Sequence, residues 1–312
     1  MSNGKIYEIA ILGRAMWQLH SLNNEGSIGN VTEPRSVKIM DSSNRLVTTD
    51  GISGEMLKHF HTRIVWTLAN NKDLCSGCRA LNPEKFNMEK IEGDSVEKVV
   101  KNALKKCIIC DLHGFLIPQP TVSRKSTIEF AWAVGIPKVG RDIHTHARQA
   151  LGEKSKVSEN EGEERSRGTQ MIYHRPTRSG IYAIISLFQP WRIGLNEARE
   201  EYAYDIKDEE RNKRYGLALR AYQHLFARPE FAMSTTRLPH VGDFQGLILR
   251  SESKSPLPLI SPLRDDYIQQ AKDIVKEIGN STKIEEFKSI SEFIKIMGAL
   301  LGREPYNIFG DE

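Results

Sequence analysis

The 312-residue sequence predicts an α+β fold, a compact sheet with helices on one side. Segments 5–12 and 127–134 alternate apolar and polar residues with the period of two of a strand. Residues following Ser53 repeat apolar positions at helical spacing. Strands and helices then follow one another without the regular βαβ rhythm of a doubly wound sheet or barrel.

Composition bounds the function classes. With 39% hydrophobic residues the chain can bury one large core, including a core that carries insertions. No stretch approaches the ~20 apolar residues that a membrane-crossing helix needs, so the expectation is a soluble, cytoplasmic protein without a membrane partner. Forty-four Lys and Arg against 40 Asp and Glu give a net charge of +4 and a pI near 8.7. That balance suits a phosphate-bearing partner without establishing one. The absence of a phosphate-loop Gly-Lys-Ser or a paired-glycine dinucleotide fingerprint argues against a nucleotide-driven enzyme.

The elements follow in order. In segment 5–12, Tyr7, Ile9 and Ile11 fall on one side of a strand and Glu8 and Ala10 on the other. Segment 21–30, rich in Ser, Asn and Gly, reads as an extended loop whose amides are open to a ligand. Ser53 is an N-cap, with Ile52 and Leu57 placed as a hydrophobic staple. Leu57, Phe60, Ile64 and Leu68 form the buried stripe of the helix, and Lys58, His61 and Thr62 share another face. Residues 71–110 read as an insertion with a helical stretch at 95–106. In segment 127–134, Ile128, Phe130, Trp132 and Val134 oppose Thr127, Glu129, Ala131 and Ala133 in a second strand. Segment 149–168 carries almost nothing apolar and cannot offset its ordering entropy by burial, which predicts a mobile projecting loop. A strand at 180–188, a charged amphipathic helix at 206–227 and a strand at 243–250 precede the Pro-rich linker Pro256–Pro262 and helices at 264–278 and 290–301. There is no internal repeat.

All four cysteines fall in two Cys-x-x-Cys pairs, Cys75/Cys78 and Cys107/Cys110. Four thiolates suit a tetrahedral ion, and a closed four-cysteine site is structural because no position is left for water. The expectation is one zinc per chain stapling the insertion, with disulfides the alternative. His144-Thr145-His146 has metal-ligand spacing but no obvious acidic partner, so it reads as a surface pair.

The motifs form an order. Ser21-Leu22-Asn23 with Gly26-Ser27-Ile28-Gly29-Asn30, then Ile52 to His59, then Asp111-Leu112-His113-Gly114-Phe115-Leu116, resemble the DevR family of CRISPR Cascade backbone proteins. The resemblance continues through Gly168-Thr169-Gln170-Met171 and Arg237 to the C-terminal helices. It implies a single RRM-like (ferredoxin-like) domain over 1–312, with palm, fingers and thumb. Residues 71–110 would be a zinc-stapled, finger-like insertion, 141–175 a thumb-like mobile segment and 263–312 the C-terminal helices. It further implies that copies stack along the guide RNA (crRNA) as a helical homo-oligomer, with other Cascade subunits, and find target DNA by base pairing, without cutting it.

A sequence-tolerant RNA clamp holds phosphates and sugars rather than base edges. Ser53 and Gly54 open a helix whose free amides and positive dipole end favour an anion, with Lys58 and His61 adding donors; the bland alternative is an ordinary capped helix. Ser27 and Asn30 sit in a loop that can form an anion nest or be a plain hairpin tip. Arg124, Lys125 and Arg237 can contact phosphate or be isolated surface cations, and the family motif adds His113. Arg167, Gln170 and Met171 match the expected thumb, a cation tracking phosphate while the Met wedges between nucleotides; a disordered linker is the alternative. The run Glu159, Glu161, Glu163 and Glu164 faces solvent or a partner. Two rival functions stay open. One is a metal-dependent ribonuclease backbone subunit of a type III-like complex, which uses an Asp in the loop matching residues 30–34; here Thr32 stands beside Glu33. The other is a stand-alone RNA-binding regulator.

Overall fold

The computed structural model describes residues 4–41, 43–88, 95–119, 121–149, 170–230, 236–278 and 281–310. Its central strand, Glu8–His20, pairs antiparallel with His240–Ser251 on one side and Gln170–Phe188 on the other. Thr282–Phe287 closes the first side, while Ala133–Gly135, Leu46–Ile52 and Ser36–Met40 extend the second. Among the described residues this one sheet holds eleven strands.

The alternation expected over 5–12 does not hold through Ile9–Leu12, all buried, because both faces of the strand are covered. Ile9, Ile11, Ala15 and Trp17 enter the main core beneath helices Gly54–Leu68, Asp208–Ala227 and Ile290–Leu300. Ala10 and Leu12 join Leu247 and Leu249 in a second core under helix Tyr267–Ile278. Helices therefore lie on both sides of the sheet, which corrects the expectation of one side. Two opposed apolar sets on one strand need two covers.

Most expected elements are present, with instructive differences. The stripe of the first helix buries Leu57, Phe60, His61 and Val65, whereas Leu68 is exposed. Segment 127–134 is two strands, Ile128–Phe130 and Ala133–Gly135, separated by the exposed Ala131 and Trp132. Both pair with Gln170–Phe188, and the break between them seats the helix start: a Cβ on Gly54 would overlap the carbonyl oxygen of Phe130. The expected loop at 21–30 is a hairpin, Asn24–Ile28 with Val31–Pro34, turning at Gly29 (φ +58°) and Asn30. Gly140–Gln149 and Gln170–Phe188 form a two-stranded ribbon in register from Gly140↔Ser179 to Gln149↔Gln170. The expected mobile loop lies, from residue 150 onward, outside the described residues. The insertion contains Ser76–Arg79, Val96–Lys106 and Ile108–His113, followed by the hairpin Phe115–Pro118/Thr121–Arg124. No helix among the described residues is long and apolar enough to cross a membrane.

Candidate nucleic-acid groove and cysteine centre

Each Cys-x-x-Cys pair opens a short helix. Cys75 Sγ accepts the Cys78 amide and Cys107 Sγ the Cys110 amide, both at 3.4 Å. All four thiols are buried and free, with the sulfurs within 4.8 Å of one another. Cys110 Sγ lies 3.8 Å from Cys75 Sγ and 3.7 Å from Cys78 Sγ. A tetrahedral ion bonded to sulfur at ~2.3 Å sets the sulfurs ~3.8 Å apart, whereas a disulfide needs about 2.05 Å. The donor set therefore fits a four-thiolate metal site rather than two disulfides.

Between helix Gly54–Leu68 and the chain leaving Cys78 lie two adjoining hollows of about 430 and 450 Å³ that share Lys58, Pro83 and Lys85. The first is lined by Thr62 and Cys78 among others, and the second runs on past Gly114 to Lys125. Lys85 Nζ donates to the carbonyl oxygens of His113 at 3.1 Å and Gly114 at 2.7 Å. Lys58 has no hydrogen bond or ion pair from its ammonium among the described residues. Burial, and then the positive charge of Lys85, lower its pKa to about 8. Burial also lowers Lys85, against the pull of the cysteine sulfurs. Two partly desolvated ammonium groups facing one groove are stabilised by an anion placed between them. Lys125 is exposed at the rim and pairs with Glu129 at 2.7 Å; Glu55 and Glu129 are the acidic members of the lining.

The structure thus brings Lys58 and Lys125 together and adds Lys85, which no periodicity or motif in the sequence had marked. It buries five other candidates, of which His113 and Arg124 still belong to the wall of the second hollow. Ser53 is buried, its amide donating to Asn23 Oδ1 at 2.7 Å and its Oγ accepting from Met56, while Gly54 is packed under Phe130. The helix start is not an open phosphate cradle, because strand and side-chain partners already cover it. His61 faces helix Asp208–Ala227, three residues and most of a turn from Lys58; it contacts His113 at 2.9 Å and the Ala218 carbonyl at 3.1 Å. His113 is equally buried, and of its groups only the carbonyl meets Lys85. Arg124 points inward, since Thr121–Arg124 alternates out and in, and its guanidinium binds Asp111 at 2.6 Å and the carbonyls of Leu195 and Arg192.

A second cluster decorates the ribbon. Arg237 donates to His146 Nε2 at 2.9 Å, His146 stacks on Tyr173 at 5.3 Å, and Arg175 lies over the Tyr173 ring at 4.9 Å. Cations interleaved with rings suit single-stranded nucleic acid. Exposed Ser27 and Asn30 belong to the hairpin beside it, where the Asn30 carbonyl accepts the His174 amide at 2.7 Å. His144 instead contacts Thr177 Oγ1 at 2.8 Å, so the two histidines have separate partners. Gln170 and Met171 pair through the backbone with Gln149 and Arg148, and Arg167 lies outside the described residues. Tyr173 and Arg175 went unmarked in the sequence, although their two-residue spacing on a strand was a usable signal.

A family model described as CRISPR-associated negative auto-regulator DevR/Csa2 matches residues 11–272. The chain belongs to the DevR/Csa2 family. A relative in Thermoproteus tenax, CRISPR-associated protein Cas7/Cst2/DevR, is 22% identical over 276 residues, spanning 84% of this chain and 80% of its own. Among solved structures, a chain of a CRISPR RNA-guided surveillance complex, pre-nicking, covers 94% of this DevR/Csa2 protein and 99% of its own length, at a TM-score of 0.45 and 11% identity. Csc2 of Thermofilum pendens covers 96% and 86%, at 0.40 and 9%.

Proposed function

We propose that this chain is a crRNA-binding backbone subunit of a CRISPR type I interference complex. Copies of it, with other subunits, coat the guide and hold it for pairing with target DNA in antiviral defence. Family membership supports the class, and the facing Lys58 and Lys85 ammonium groups carry the RNA reading. A groove that offers charge but few base-reading amides suits guides of any sequence. In this reading the sheet is an RRM-like palm, the Gly140–Gln149 and Gln170–Phe188 ribbon is the root of the thumb, and the insertion is a finger. Cys75, Cys78, Cys107 and Cys110 hold zinc, which supplies a structural cross-link and no catalysis. The subunit acts as a scaffold rather than a nuclease. Thr32 stands beside Glu33 in strand Val31–Pro34, where the ribonuclease reading expects an Asp.

The test is binding of the zinc-loaded protein to unrelated single-stranded RNAs across a salt series, followed by incubation with complementary RNA and a divalent metal. Similar affinities, a steep salt slope, growth in particle size on RNA and no cleavage are expected. Absence of RNA binding would overturn the reading. Cleavage would move the protein to the ribonuclease class, and binding without assembly to a stand-alone module.

A further inference from the structure

The groove and the cysteine centre are one construction. Cys78 lines the first hollow, and seven residues later the same chain presents Lys85. The intervening segment is tied back to the cysteine turn: the Leu81 amide donates to the Cys78 carbonyl at 3.1 Å and the Asn82 amide to the Gly77 carbonyl at 2.9 Å. Leu81 (φ +52°) and Lys85 (φ +51°) hold left-handed backbone conformations that L side chains keep only where the surroundings enforce them. At its far end the segment is anchored by buried Phe86 against Phe115. On the opposite wall, His113 and Gly114, whose carbonyls receive Lys85, are the last residue and the C-cap of the helix that Cys107 caps and Cys110 belongs to. An ion held by all four sulfurs would therefore tie together the two segments whose contact aims Lys85.

Resting on the RNA reading above, we infer that occupancy of the cysteine centre by a thiolate-bound divalent metal sets the RNA affinity of the groove by holding Lys85 opposite Lys58. The cross-link holds Lys85 in place although Lys58 repels it.

The experiment compares zinc-loaded and chelator-stripped full-length protein, wild type and Lys85→Met, by RNA affinity, zinc content and amide exchange over residues 79–88 and 108–114. In the wild type, stripping is expected to weaken RNA binding about ten-fold, the size of one lost charged contact, with recovery on returning zinc and faster exchange in those two segments. Zinc-loaded Lys85→Met is expected to keep its metal, bind about ten-fold more weakly, and lose little more on stripping. Equal affinity of stripped and loaded wild type, wild-type affinity of loaded Lys85→Met, or losses that simply add would each overturn the inference. Stripping that unfolds the chain would also overturn it, because occupancy would then set folding rather than the affinity of the groove. Loaded wild type that binds no RNA defeats the function proposed above; unchanged amide exchange on stripping defeats this coupling independently of RNA.

Discussion

His61 Nδ1 lies 2.9 Å from His113 Nε2, and neither ring reaches solvent. His61 Nε2 meets the Ala218 carbonyl, which can only accept, so that nitrogen carries the proton and Nδ1 accepts from His113. Burial keeps the pair neutral, lowering His61 to about 3 and His113 well below the ordinary value.

Acid should therefore destabilise the fold. The unfolded histidines titrate near 6.5 and the folded ones lower, so the unfolded chain binds more protons between those values. The stabilisation is complete above about pH 6.5 and declines below it, for His61 by roughly 1.4 kcal/mol per pH unit toward 3 and for His113 in the same direction. Urea midpoints from pH 7.5 to 5, with zinc retention followed in parallel, measure this. A flat profile while zinc stays bound would count against the neutral pair.

Asp111 Oδ1 lies 2.6 Å from Arg124 and its Oδ2 2.8 Å from Arg214, all three buried. Asp111→Ala removes the carboxylate that two buried guanidinium groups share, leaving Arg124 with Glu197 at 3.5 Å and Arg214 with Glu210 at 2.9 Å, and should cost about 3 kcal/mol. Arg124→Met should also lower the thermal midpoint yet leave the RNA affinity of the folded fraction unchanged. Lys125→Met should change stability by less than about 0.5 kcal/mol and weaken RNA binding. The reverse pattern would return Arg124 to the interface.

Lys58→Met should reduce RNA affinity about ten-fold, the loss of one charged contact, for every RNA sequence alike. Because burial and Lys85 hold the free Lys58 near a pKa of about 8, its ammonium discharges as pH rises from 7 to 9. Wild-type affinity should fall across that window, and the variant's should fall less. Parallel profiles would place the phosphate elsewhere.

Purified protein should carry one zinc per chain, measured by elemental analysis. Chelation should lower the thermal midpoint, by about 2–4 °C for each kcal/mol lost in a domain of this class. Metal-free protein melting at the same temperature would show that the four thiols need no ion.

Gly54→Ala should cost about 1–3 kcal/mol, because its methyl meets the Phe130 carbonyl with no side chain able to yield. An unchanged urea midpoint would show that the break between strands Ile128–Phe130 and Ala133–Gly135 relaxes freely.

Much of the architecture was legible because local period dictates it. The Ile9–Leu12 strand, the Ser53-capped helix and the helix ending at Ala227 lie close to where apolar spacing puts them. Edge strands Ser36–Met40 and Thr282–Phe287 were not legible. Each has one half-open face and mixed polarity, so their strand character comes from the neighbour they pair with.

Of the candidate site, the residues themselves marked the four cysteines and Lys58, since thiol chemistry and motif order need no partner to be read. Which cations open onto the groove was settled only by tertiary packing. Neighbours from distant segments enclose Ser53, His61, His113 and Arg124, and carry Lys85 across from the insertion to face Lys58. Burial is a property of what packs against a side chain, and no local pattern records that.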